Sequence, residues 1–345
     1  MSKRIKWIDM VKGVGMILVM FAHTPLPEPI RKYIYAFHMP LFFFISGYLL
    51  NISKYDSFKK FFKSKFKSLL IPYFIFSTTN YLFGAIVFNE FAGQNLNSAM
   101  QPLLGMFVGI RGTKWTLCNG TLWFVLALFI AEIVFYFTVK LFKNNNRDII
   151  ISIIICGVIS YLYNLFVGES LLWSMDAAIT AIVFLGLGYL TKKTKLITKI
   201  SKFPIIIILL IINLLAGSIN TNIDISNGKY GSFILFYIAA ISGIFATIII
   251  IKNLPNSKFI SFIGKNSFVY LAIHQYVIFG FLKRNMSSAI FESQFILDKL
   301  MVSFYFVIIA CIVILPIVKI INRWLPFILG RKKQNKKNNF DFILE

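Results

Sequence analysis

Acidic residues are scarce in this chain: 13 Asp and Glu stand against 36 Lys and Arg, and charged residues of both signs reach only 14%. A soluble domain usually carries about a quarter. With 58% of its 345 residues hydrophobic, the chain could not hide its apolar surface in one or two water-soluble cores. Cysteine is rarer still. Cys118, Cys156 and Cys311 give no disulfide framework, and two of them fall in apolar runs. There are three histidines, His23, His38 and His274, and none stands at i, i+3 or i+4 from another. No Asp or Glu nearby completes a ligand set, so no metal site is expected. Internal repeats and inverted pairs of broken helices are lacking, which weighs against a secondary transporter. No small-residue cleavage site follows His23; "TPLPEP" comes instead, so the first apolar segment reads as an uncleaved anchor.

The abundant feature is apolar runs of the length that crosses a bilayer, about 17–25 residues. Ten spans are expected at 8–24, 33–50, 69–90, 122–142, 149–167, 173–191, 204–221, 231–251, 260–282 and 300–321. The expected fold is an all-α polytopic membrane bundle, one membrane domain over 1–325 followed by a basic, disordered tail at 326–345. With the N-terminus in the cytoplasm, 28 of the 36 Lys and Arg lie on the inner side and 8 on the outer. The positive-inside rule therefore supports ten helices with both termini cytoplasmic. The net charge of +23 is a topology signal and an attraction to an anionic inner leaflet; no nucleic-acid partner is implied. Residues 51–68, "NISKYDSFKKFFKSKFKS", read as a basic amphipathic helix on that leaflet. Residues 91–121 form an outer stretch too long to be idle.

The first span carries ionisable residues, which are costly in a membrane and functional by default. Lys12 and His23 are eleven residues apart, three helical turns, so they share a face at roughly 16 Å separation. Asp9 lies on the same side. Lys12 thus sits near the inner mouth and His23 near the outer mouth of one polar track. His38 opens the second span at a similar outer depth, and His274 lies mid-membrane or beyond in the ninth. Plainer roles compete: Lys12 snorkels to the interface, Asp9 pairs with it, and Trp123 anchors at the interface. Taken alone, these residues fit an enzyme or a proton-coupled transporter or flippase of a polysaccharide precursor alike; a non-catalytic partner in polysaccharide assembly is a third reading.

The strings "IDMVKGVGMILVMFAH", "IYAFHMPLFFFISGYLL", "LLIPYFIF", "TLWFVLALFIAEI" and "GKNSFVYLAIHQYVI" occur in that order. Together they resemble the acyltransferase-3 family of bacterial membrane acyltransferases, and within it the branch of fucose 4-O-acetylases. The resemblance implies a ten-helix enzyme of the bacterial cell membrane that moves an acetyl group from cytoplasmic acetyl-CoA to a carbohydrate or lipid-linked sugar. The family's arginine, ten residues and essential histidine map onto Lys12 and His23. Its paired arginines map onto Lys65 and Ser68, with Lys67 adjacent. Lysine keeps the point charge for a phosphate and loses the bidentate fork. On this basis Lys12, Lys65 and Lys67 are the expected donor-binding residues. His23 is the expected general base or, alternatively, an acetylated nucleophile, assisted by Asp9 and His38. Trp123, Arg111, Lys114 and His274 are expected on the acceptor side. No permanently bound cofactor is expected.

Overall fold

A computed structural model describes residues 5–113, 117–199, 203–287, 293 and 295–331. The described residues are helical, with no named strand; a single antiparallel bridge joins Asp224 and Lys229. The helices are α1 (Lys6–Ala22), α2 (Glu28–Leu49), α3 (Phe58–Ile86), α4 (Leu96–Val108), α5 (Trp123–Leu141), α6 (Asn146–Phe166), α7 (Met175–Lys193), α8 (Phe203–Ile219), α9 (Phe233–Asn253), α10 (Lys258–Lys265), α11 (Ser267–Ile273), α12 (Gly280–Asn285) and α13 (Ile296–Trp324). A π-helical turn, His274–Phe279, joins α11 to α12. Among the described residues, six helices are long and apolar enough to cross a membrane: α3, α5 (with its preceding turn from Gly120), α6, α7 (from Leu172), α9 and α13. Nine of the ten expected spans each fall on one helix, whereas the ninth, 260–282, runs over α10, α11, the π turn and the start of α12.

Local chemistry explains where the helices start. Ser57, Asn95, Asn145 and Ser257 each accept a backbone N–H of the first turn, meeting donors that a helix leaves unpaired. Helix α2 starts five residues before the expected span because Pro29 lies in its first turn, where a missing N–H costs nothing. Its first turns extend past the end of α1, and Tyr35 Oη donates to Ala22 O at that level. Of the basic segment 51–68, the part from Phe58 is helical as expected, and it is the start of α3, which continues through a π turn at Phe66–Leu70. Phe61 is fully buried and stacks on Tyr136 with ring centroids 4.5 Å apart, so one face of this helix docks on α5. The outer stretch 91–121 is also partly ordered: α4 packs on α3 through Tyr73 Oη donating to Met106 O and Tyr81 Oη to Ala99 O.

Without a hydrophobic drive between helices in lipid, close packing of backbones holds a bundle together. Helices α2 and α7 meet at glycines from both sides. A Cβ on Gly47 would land on the Leu185 carbonyl, and one on Gly188 on the Phe44 carbonyl. Helices α1 and α10 repeat the device: Gly13 abuts Ile260 O, and Gly264 abuts Asp9 O. Helix α6 is the opposite case, with Ile150, Ile154, Ile155 and Val158 turned outward, as expected of a helix facing lipid. Gly188→Val must push α2 off α7, so a loss of about 1–3 kcal/mol is expected, read as a lowered Tm in detergent.

Candidate active site

Helix α1 lines a cavity of about 500 Å3 with Lys12, Met16 and Val19. These stand at i, i+4 and i+7, one face of the helix, and His23 is the next residue of that face, one turn beyond Val19. The cavity is chemically graded. Lys12, Lys54, Lys65, Lys265 and Arg331 supply cations, while Met39, Phe42, Phe124, Leu128 and Leu271 give it an apolar wall. His23 is half-buried at the head of this face and is not itself on the cavity wall.

One carboxylate enters the basic cavity. Glu132, midway along α5 and 2% exposed, accepts from Lys65 Nζ at 2.9 Å and from Ser46 Oγ at 2.8 Å through Oε1. Its Oε2 is buried without a hydrogen bond. Lys65 therefore reaches the cavity tethered to Glu132. Nothing in the sequence reading singled out Glu132, although a glutamate in the apolar run "FVLALFIAEIVFYF" is the signal that could have found it.

Three histidines converge around the head of α1. The His23 and His274 ring centroids are 5.3 Å apart, and His38 is within electrostatic reach of His23. His274 is fully buried, and its Nδ1 donates to Tyr270 O at 2.8 Å. His38 Nδ1 likewise donates to Ile34 O at 2.8 Å. A ring nitrogen facing a carbonyl must carry the hydrogen, so the Nε2 atoms of His38 and His274 are bare acceptors when the rings are neutral. Gln275, not foreseen from the sequence, lies with its amide nitrogen 3.2 Å from His23 Nδ1.

Helix α11 is held in place by the outer stretch. Asn119 Nδ2 and Asn80 Nδ2 both donate to Ala272 O, at 2.7 and 3.0 Å, and Thr121 Oγ1 donates to Leu271 O at 2.9 Å. These carbonyls stand next to the π turn, where the regular ladder changes register. "CNGT" therefore matters through what it holds. Burial, then the Glu90 carboxylate, pushes the neighbouring Cys118 thiol up to about 11, which keeps it protonated and unreactive at neutral pH.

The remaining expected residues are dispersed. Asp9 is buried one turn below Lys12, against α10. Lys67 is exposed and absent from the cavity wall. This corrects its expected grouping with Lys65: two residues apart on a helix, they point to different sides. Arg111 is bonded to Asp176 and lies over the Trp123 ring at 5.4 Å. Trp123 is buried beside Phe43 and Phe124, so neither residue stands open beside His23. Lys114 lies outside the described residues.

A cavity that sets a cluster of cations beside an apolar wall, in a bundle with apolar helices of membrane-crossing length, defines a multi-pass membrane protein with an internal chamber. The chain belongs to the acyltransferase-3 family, whose model, an acyltransferase domain, matches residues 5–323. It is a membrane acyltransferase. No curated protein and no solved structure matches it.

Breaking a buried ion pair from one side leaves an uncompensated charge and costs about 3–5 kcal/mol, whereas an apolar pair of similar volume is close to neutral. Glu132→Leu alone and Lys65→Leu alone should each lower the Tm in detergent, and the double variant should recover most of the loss.

Proposed function

We propose that the protein is an O-acetyltransferase. It takes acetyl from cytoplasmic acetyl-CoA and delivers it to a hydroxyl of a cell-surface carbohydrate or lipid-linked sugar, in the manner of the fucose 4-O-acetylase branch. In this reading it spans a bacterial inner membrane ten times, with both termini cytoplasmic, and residues 1–325 form one catalytic domain, to whose cavity Arg331 of the following segment adds a cation. The observation that carries the proposal is the continuity of the α1 face, from Lys12 at the cationic part of the cavity through Met16 and Val19 to His23.

Acetyl-CoA matches that gradient. Its phosphates suit the cluster of Lys12, Lys54, Lys65, Lys265 and Arg331, and its thin pantetheine arm suits the apolar wall. The thioester is then directed to the head of α1. There His23 Nε2 takes the proton of the acceptor hydroxyl as its oxygen attacks the acetyl carbonyl carbon. The tetrahedral intermediate collapses with cleavage of the C–S bond. The imidazolium returns its proton to the departing thiolate, leaving an acetyl ester, free CoA and a neutral histidine. His38 and His274 are assigned to the acceptor side. Trp123 and Arg111, which are buried and bonded elsewhere, would act there through the shape of the bundle.

Purified protein is incubated with acetyl-labelled acetyl-CoA and mixed surface-glycan precursors, and thiol release and label transfer are followed. His23→Ala should lower turnover by about a hundredfold or more with acetyl-CoA affinity retained. Lys12→Met should raise KM for acetyl-CoA by about ten- to a hundredfold at nearly constant kcat, the size of one charge-assisted contact, and the penalty should shrink as salt rises. If acetyl-CoA neither binds nor turns over, the donor assignment is wrong, and transport of a polysaccharide precursor becomes the reading to test.

A further inference from the structure

When His23 takes a proton at Nε2, the resulting imidazolium carries hydrogen on both ring nitrogens. The Nδ1–H is present already in the neutral tautomer whose Nε2 is the free base, and it needs an acceptor in both states. Among the described residues, the side chain at His23 Nδ1 is Gln275, whose Nε2 lies 3.2 Å away. The other end of that amide, Oε1, is buried and has no hydrogen-bond partner. A half-turn of the amide exchanges two ends of nearly the same size, and the only hydrogen bond it gives up is the one to Nδ1.

The surroundings make this oxygen matter. Among the described residues, the titratable groups near enough to act electrostatically on His23 are His274 on the π turn, Lys283 on α12 and His38 on α2. No carboxylate is among them, so an imidazolium at this position has cations or neutral rings for neighbours. The π turn, with more residues per turn than an α-helix, also turns His274 and Gln275 towards the same ring although they are consecutive. Its carbonyl anchors on Asn80, Asn119 and Thr121 fix that distortion in place.

We infer that Gln275 is the positioning residue of His23: its amide oxygen accepts the Nδ1–H as His23 takes the acceptor's proton, which fixes Nε2 as the base. The inference rests on the proposed role of His23 as the base. The neutral tautomer whose Nε2 is the free base already carries the Nδ1–H, and its bond to the amide oxygen strengthens as the ring becomes charged, so it stabilises the transition state more than the ground state and raises kcat. Gln275 is off the cavity wall and contributes nothing to holding acetyl-CoA.

The test uses the full-length protein in detergent, with acetyl-CoA and mixed glycan precursors, over about pH 5 to 9, the range where histidine titrates. Gln275→Leu should lose about ten- to a hundredfold in kcat, with the Kd for acetyl-CoA unchanged. Gln275→Glu, which keeps an oxygen acceptor, should recover most of the turnover. Its acid limb should move to higher pH, because a carboxylate favours the charged ring and the base must be neutral to act. Wild-type kcat and pH profile in Gln275→Leu would overturn the inference, as would a Gln275→Glu variant that stays inactive or keeps its acid limb unshifted. Should Gln275→Leu fail to fold, judged by Tm and acetyl-CoA binding, the acid limb of Gln275→Glu decides alone. His23→Ala reports separately on the underlying role. A variant of His23 as active as wild type removes the base itself, whereas loss in His23→Ala with no effect at Gln275 removes only the positioning.

Discussion

The ion pair between Lys65 and Glu132 is the interaction on which the cavity end of the bundle depends. A carboxylate midway along α5 is almost wholly buried, and an isolated charge there would be ruinous. Lys65 answers it from α3 and Ser46 from α2, so three helices are fixed to one point. The cavity is the space left beside that point. The carboxylate and the open mouth together make its cations tolerable, and the charge of Lys65 is answered by Glu132. On the proposed reading a ligand rich in phosphate meets this cluster, a more selective surface than a loose basic patch would be.

The histidine end depends on a different device. Helices α11 and α12 are joined by a turn of altered register, and irregular backbone inside a membrane is tolerated only where protein satisfies its polar groups. Asn80, Asn119 and Thr121 satisfy the carbonyls beside it. The gain is directional: His274 and Gln275 both reach the ring of His23. The glycine contacts of α1 with α10 and of α2 with α7 complete the arrangement by bringing backbones close enough for short side chains to act between helices.

Much of this was legible in the chain. A helical repeat of 100° per residue places Lys12 and His23 on one face, and the structure keeps them on a single line with Met16 and Val19. The apolar blocks foretold helical segments at the expected positions, though not the breaks within 260–282. The misses share a physical cause. Glu132 and Lys65 are 67 residues apart, and no local pattern says that they meet. A π turn leaves no periodicity in eight or ten residues, so the nearness of Gln275 to His23 could not be read from "LAIHQYVI". The early start of α2 was hidden because "PLPEPI" reads as loop, whereas proline is welcome in a first helical turn. Helix α4 was hidden in a stretch whose composition resembles a loop, although Asn95 caps it.

The gradient along α1 also divides what is able to pass from what is not. Lys12 to His23 is roughly 16 Å of helix, and the wall between them is methionine, valine, phenylalanine and leucine. Moving a phosphate past that wall would strip its hydration with no cation to replace it, a cost of many kcal/mol. An uncharged acyl thioester on a slender arm meets no such barrier and gains by burial. On the proposed reading the wall that admits the arm keeps the charged end of the donor on its own side, so that one cavity open to one face of a membrane serves a reaction at the other without becoming a pore for ions. Positioning of the histidine at the far end by a neutral amide rather than a carboxylate fits that economy, since it adds no charge to the apolar part of the track.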